Sequence, residues 1–282
     1  MSGWSPSRAR RLACTVRGCG RPLGLVARAL VCESGHSFDL ARSGYANLLQ
    51  PQDRRSKTPG DAPSSLDARA RLHRRGIAAP LLDELAGTLA ALAPERPPAV
   101  LDAGCGEGQM LAALASRRAL EGYGVDLSTR AIEAAARAHP ELVWLVANAD
   151  RRLPILDGTM DLVLSIAGPK NPAEFARVLA PEGRLAVAVP GADDLIELRG
   201  CLSGDARAIE RASPAIEAFA ESFVLASRSS VRSRLRLAPA ELRDALASAY
   251  RAGRERERSR AEGLEEMDVT FAWEVLVFRR RA

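Results

Sequence analysis

Lysine, aromatic residues and long apolar runs are what this chain has least of. Its only lysines are Lys57 and Lys170, while arginine and alanine are abundant, which reads as genomic composition bias and not as function. Aromatics make up 4% of a chain that is 47% hydrophobic overall, so material for a core is still present. No apolar segment approaches the ~20 residues that a membrane-spanning helix needs. Residues 1–11 are basic but lack the apolar stretch of a secretory signal, so the protein is expected in the cytoplasm, with no membrane partner. Five cysteines in that reducing compartment argue against a disulfide framework and leave metal binding, chemistry or packing as their uses. Basic residues number 40 against 35 acids, a net charge of +5. That surplus suits an anionic partner, but its interspersion with acids makes charge alone a poor argument for RNA.

The most informative stretch is residues 98–109, PAVLDAGCGEGQ. A short apolar run, as in a buried strand, ends at Asp102; glycines follow at 104, 106 and 108; and the spacing of Met110, Leu111 and Leu114 opens a helix. Glycine at those points lets a ligand lie against bare backbone. A dinucleotide site prefers G-x-G-x-x-G, whereas here an acid precedes G-x-G-x-G. S-adenosylmethionine carries no phosphate but does carry an ammonium, which Asp102 or Glu107 can hold. A ribose diol then calls for a carboxylate at the end of the next strand, about 20 residues on. Residues 121–128, EGYGVDLS, supply Asp126, with Leu127 beside it and Ser128 as the cap of a helix over 129–139. The cofactor-contacting set read here is Asp102, Gly104, Gly106, Glu107, Gly108, Asp126 and Leu127.

Cys14, Cys19, Cys32 and His36 crowd into one short N-terminal segment. Three thiolates and an imidazole suit a closed tetrahedral Zn²⁺ site, which reads as structural and not catalytic; the alternative is four unrelated residues, with the cysteines packed as small core hydrophobes. The surrounding residues are too few and too weakly apolar to fold without such a staple. Cys105 and Cys201 are read as packing residues, and His73 and His139 as surface ones. Residues 50–65 form a Pro-, Gly- and charge-rich linker; Arg54, Arg55 and Lys57 lie in it. Helical patterns then run from 66 to about 76 and from 80 to 92.

A third strand near 142–147 ends in Asn148 and Asp150, either of which can accept from an adenine amine or close the strand as an Asx turn. A fourth, 160–167, leads into GPKNP at 168–172, a loop at the strand's carboxyl edge where α/β ligands bind. Lys170 there can stabilise charge on an acceptor oxygen and Asn171 can orient an acceptor base. A fifth strand is expected over 184–190, after PEG at 181–183. Two late strands, 223–237 and 268–278, flank a helix over 239–250. Arg228, Arg232, Arg234 and Arg236 follow a two-residue period, which reads as an ordinary basic sheet face. The expected fold class is α/β: a doubly wound sheet with an antiparallel edge and a small N-terminal metal module.

The chain resembles the bacterial 23S rRNA guanine-N1 methyltransferases, the RlmA family that includes macrolide-resistance members. The resemblance rests on the Cys14, Cys19, Cys32, Gly35, His36 cluster, on FDLARSGYANLL at 38–49, on PGD at 59–61, on the glycine loop and on GPKNP at 168–172. It implies a class I S-adenosylmethionine-dependent methyltransferase domain over 66–282, preceded by a zinc-ribbon-like RNA-recognition module at 1–49. It also implies a guanine in the hairpin 35 region of 23S rRNA as acceptor and a homodimeric state. Cofactor positions carry onto Gly106, Glu107, Asp126, the surroundings of Asn148 and Asp150, and Asp194. Ala78 stands where some relatives have an aromatic beside the cofactor. The rival reading is a small-molecule methyltransferase of secondary metabolism, which a zinc module would suit less well. A catalytically idle RNA-binding protein is opposed by the intact Asp102, Gly104, Gly106 and Asp126.

Overall fold

The structure, a computed structural model, describes residues 3–53, 63–92, 96–204, 206–249 and 263–281. The PGD motif at 59–61 and the basic linker residues 54–57 lie outside the described residues. In chain order a one-turn helix α1 (Pro6–Ala9) leads into strands β1 (Leu23–Val26), β2 (Ala29–Cys32), β3 (Ser37–Asp39) and β4 (Ala46–Asn47). Helices α2 (Pro63–Arg74) and α3 (Ala79–Leu92) follow. The alternating part is β5 (Ala99–Ala103), α4 (Gln109–Arg117), β6 (Glu121–Asp126), α5 (Thr129–Ala138), β7 (Val143–Val146), β8 (Met160–Ile166), α6 (Pro172–Val178) and β9 (Leu179–Pro190). The chain closes with α7 (Ile196–Ser203), α8 (Ala212–Phe219), β10 (Phe223–Leu237), α9 (Pro239–Ala249) and β11 (Met267–Arg280).

Eight strands form one sheet in the order β10-β11-β9-β8-β5-β6-β7-β4. β5 pairs in parallel with β6 and β8, so the carboxyl ends of all three reach the same edge of the sheet, with Asp102 opposite Gly124 and Leu164. A parallel strand covered on both faces is mostly apolar, and β5 is buried at every residue, with Asp102 near its carboxyl end as its one polar side chain. β11 runs antiparallel to both β9 and β10, which places the antiparallel pair at the expected edge. At the opposite edge the N-terminal segment reaches into the main sheet: Ala46 and Asn47 pair in parallel with Leu145 and Val146. Leu23, Leu30, Cys14 and Cys32 accordingly share one buried cluster with Leu145 and Val143.

Three details depart from expectation. β9 begins at Leu179, not at 184, because Leu179 pairs with Met160 before a register break and Arg184 resumes the ladder opposite Leu162. Residues 180–183 are therefore a bulge within the strand, which lets PEG turn without leaving the sheet. Cys201, read as a packing residue, is exposed on α7. His73, read as a surface residue, is half-buried, and burial, helped by the charge of Arg69, lowers its imidazole to about 4. Among the described residues no helix is long and apolar enough to cross a membrane.

Candidate active site and metal centre

The glycine loop leaves β5 at Gly104 and enters α4 after Gly108, and both residues have left-handed backbone, φ 82° and 75°. Neither could carry a side chain even if the backbone allowed it. A Cβ on Gly108 would come within 2.1 Å of Trp144 Cη2, and one on Gly104 within 2.7 Å of Pro169 Cδ. The loop is thus pressed between an indole below and the 168–172 loop beside it. Trp144 is held there by its own donor, Nε1–H to the His139 carbonyl at 2.8 Å. Gly108 gives α4 no side-chain cap, which leaves the first backbone N–H groups of the helix facing the loop.

Asp126 stands at the carboxyl end of β6 and ties this loop to the next: Gly106 N–H donates to its Oδ2 at 2.9 Å and Ser128 N–H to its Oδ1 at 2.8 Å. Ser128 in turn accepts from Ala131 N–H and caps α5. Leu127 is half-buried beside it. Asp102 is only 2% exposed, and no hydrogen bond from a described residue reaches its carboxylate. Burial first, and then the charge of Asp126, push its pKa up to about 7. A buried acid without a donor is costly unless something cationic comes to it. Glu107 is half-buried and likewise raised, by burial and by Asp67, against the opposing pull of Arg69 and Arg130. This corner combines an acid that no described residue hydrogen-bonds, bare backbone and a carboxylate at the strand end, the acceptor set that an ammonium and a sugar diol require.

The N-terminal cluster assembles equally closely. Cys14 Sγ and Cys32 Sγ lie 3.4 and 3.5 Å from His36 Nδ1, and Cys19 Sγ lies 3.9 Å from Cys32 Sγ. A tetrahedral ion with Zn–S near 2.3 Å and Zn–N near 2.0–2.1 Å sets its sulfurs ~3.8 Å apart and sulfur from nitrogen ~3.5 Å. All four ligand atoms fall within 4.8 Å of one another. Two tight turns bring them together: Cys19 N–H donates to the Val16 carbonyl, and Gly35 N–H to the Cys32 carbonyl.

Two family profiles match the chain. The zinc-ribbon profile described as RlmA, N-terminal, covers residues 13–57, and a methyltransferase domain profile covers 100–183. A 23S rRNA (guanine(748)-N(1))-methyltransferase of Streptomyces fradiae is 42% identical over 182 residues, 64% of each chain. A Micromonospora griseorubida protein, named as a candidate 23S rRNA (guanine-N(1)-)-methyltransferase, is 37% identical over 211 residues, 68% of this chain and 70% of its own. The chain belongs to the 23S rRNA guanine-N1 methyltransferase family. A Bacillus subtilis protein given the same candidate activity is 40% identical over 185 residues, and the match spans 64% of its length, as it does for the Streptomyces relative.

The loop at 168–172 borders the glycine loop at Gly104, and the structure gives its residues definite duties. Asn171 spends its amide on two carbonyls, donating to Ala149 at 3.0 Å and Arg151 at 2.8 Å. It thereby pins the loop after β7 to the loop after β8. Ser165 Oγ donates to the Pro169 carbonyl at 2.7 Å and fixes the other side. Lys170 is exposed at the rim of a cavity of about 220 Å³, whose walls include Ser165, Gly168, Val187, Val189 and Arg211. Asn148 donates to the Asp53 carbonyl and accepts from Asp150 N–H, the Asx turn weighed as its alternative, while Asp150 itself is exposed. Asp194, raised to about 6 by burial, accepts from Ala272 N–H, so its described hydrogen bond goes to β11 and not to the glycine loop. The arginines of β10 are met by acids: Arg228 by Glu274, Arg232 by Asp193 and Arg236 by Glu266. Trp144, packed against Gly108, and Arg69, beside Gly106, carry no signal in the sequence. The first reads as one more residue of an apolar strand, and the second as one arginine among many.

Proposed function

We propose that this protein transfers a methyl group from S-adenosylmethionine to N1 of a guanine in 23S rRNA, in the hairpin 35 region. The observation that carries the reading is the union on one chain of the RlmA-type N-terminal zinc ribbon with the methyltransferase domain. The relatives' names agree with it. In this reading Cys14, Cys19, Cys32 and His36 hold Zn²⁺ and shape a module that grips the RNA. It acts in the cytoplasm, and the resemblance implies a homodimer.

Asp102 and Glu107 take the cofactor's ammonium, the backbone of Gly104, Gly106 and Gly108 lies along it, and Asp126 accepts from the ribose hydroxyls, with Leu127 against the adenine. When bound, the cofactor supplies a methyl on a sulfonium, open to in-line displacement. The protein's share is positioning, worth ~7–11 kcal/mol of effective concentration in favourable cases. The cavity beside Lys170 is smaller than the ~300–1,000 Å³ of drug-sized pockets, which suits one extruded base. Lys170 at its rim stabilises negative charge on O6 as N1 loses its proton, and Asn171 acts by holding the walls of that entrance together.

Primer extension on 23S rRNA is the test, because a methyl on N1 blocks the pairing edge of guanine and halts reverse transcription. A stop in hairpin 35 that vanishes on gene deletion and returns on complementation is expected. An unchanged pattern, with purified protein also failing to methylate 23S rRNA fragments, would overturn the reading and favour a small-molecule acceptor.

A further inference from the structure

Arg69 projects from α2 onto the glycine loop. A Cβ on Gly106 would lie 3.8 Å from its Nη1, the guanidinium is half-buried, and its Nη2 makes a long 3.5 Å contact to the Ser248 carbonyl on α9. Its charge acts on Glu107, so the cation and the acid belong to one corner of the cradle. That corner already offers anionic groups in excess: Asp102 without a donor, Glu107, and Asp67 on the same helix.

The ligand proposed for this cradle ends in an α-amino acid, whose ammonium and carboxylate share one carbon. Acids can serve the ammonium only if the carboxylate attached to it is served by a cation nearby; otherwise the same acids repel it. Two arginines act on Glu107. Arg130 is exposed in the first turn of α5. Arg69 is the one of the two whose guanidinium faces the space that a side chain at Gly106 would fill.

We infer that Arg69 receives the carboxylate of the cofactor's amino-acid end, so that α2 closes the cradle from above. The inference rests on the reading of the loop as an S-adenosylmethionine site. Charge-assisted hydrogen bonds of this kind correspond to roughly a 10- to 100-fold change in affinity.

The test is calorimetry with two probes, S-adenosylhomocysteine and 5′-methylthioadenosine. The second keeps the nucleoside and thioether but has no amino acid. Arg69→Ala is expected to weaken S-adenosylhomocysteine at least tenfold and leave methylthioadenosine within twofold, with Arg69→Lys recovering part of the loss. Arg130→Ala should not discriminate between the two. The inference fails if Arg69→Ala weakens both probes equally, or neither, or if Arg130→Ala alone is selective. Thermal melting of each variant separates misfolding from lost contact, and because the lysine variant keeps the charge it retains a readout should the alanine variant unfold. If the wild-type protein binds neither probe nor S-adenosylmethionine, the cradle reading itself falls, and the inference with it.

Discussion

Gly104 and Pro169 touch across two loops: a Cβ on the glycine would sit 2.7 Å from the proline Cδ. The first belongs to the turn after β5 and the second to the turn after β8, so the loops proposed as cofactor cradle and acceptor entrance meet at this point. Gly104→Ala is expected to cost ~1–3 kcal/mol from left-handed strain alone and to push the 168–172 loop outward. Turnover should then fall more than tenfold, while cofactor affinity falls less. Gly108→Ala, whose methyl would strike the indole of Trp144, should instead abolish cofactor binding. Methyl-incorporation assays beside calorimetry distinguish the two, and equal losses in both variants would show that the loops are not separable in this way.

Asp102 gives the cofactor site a pH dependence whose direction is fixed. Its folded-state pKa of about 7 is raised above the ordinary carboxylate value, so its ionisation costs the free protein stability as pH rises. An arriving ammonium relieves that cost and favours the ionised form. Affinity for S-adenosylmethionine is therefore expected to be constant above about pH 7.5 and to weaken by up to tenfold per unit below 7, with proton release on binding. Asp102→Asn should bind weakly with a flat profile between pH 5 and 8. A wild-type profile that is itself flat would remove Asp102 from the ammonium site.

His73 acts with the opposite sign, through stability. Its pKa of about 4 in the fold lies below the usual 6.5, so the unfolded chain takes up a proton first. The neutral imidazole's contribution is complete above pH 6.5 and is lost as pH falls towards 4, by about 3 kcal/mol in all. Urea denaturation at pH 7, 5.5 and 4.5 should show the decline, and His73→Gln should lessen its slope. An identical slope in that variant would place the acid sensitivity elsewhere.

What the sequence disclosed, and what it withheld, follows chain separation. The cradle was legible because strand, glycines and helix occupy one short run, and Asp126 sits one βα unit away at a fixed interval. The metal cluster was legible from residue type alone, since three thiols and an imidazole have few shared uses. The pairing of Ala46 and Asn47 with β7 was not, because two residues carry no periodicity and their partners lie far along the chain. Asn171 was read for its amide's chemistry, but which acceptors it meets depends on how two distant loops fold. Arg69 was hidden for the same reason: only the docking of α2 makes it a neighbour of Gly106.

Chelation should reveal how far the N-terminal module depends on the proposed zinc ion. Cys14 and Cys32 are buried in the same cluster as Leu23 and Leu30, and β4 continues that segment as the edge strand of the main sheet, paired with β7. Loss of the ion would leave three thiols and an imidazole crowded together with nothing to join their turns, and the apolar residues around them would lose their anchor. One equivalent of zinc is expected by elemental analysis of the purified chain. A strong chelator, or Cys32→Ser, should lower the melting temperature by several degrees and abolish 23S rRNA binding. Binding of S-adenosylhomocysteine should persist, because the glycine loop and Asp126 are built on β5 and β6, which do not pair with β4. A purified protein that is free of zinc yet binds rRNA and melts as before would show that the cluster serves packing and not metal.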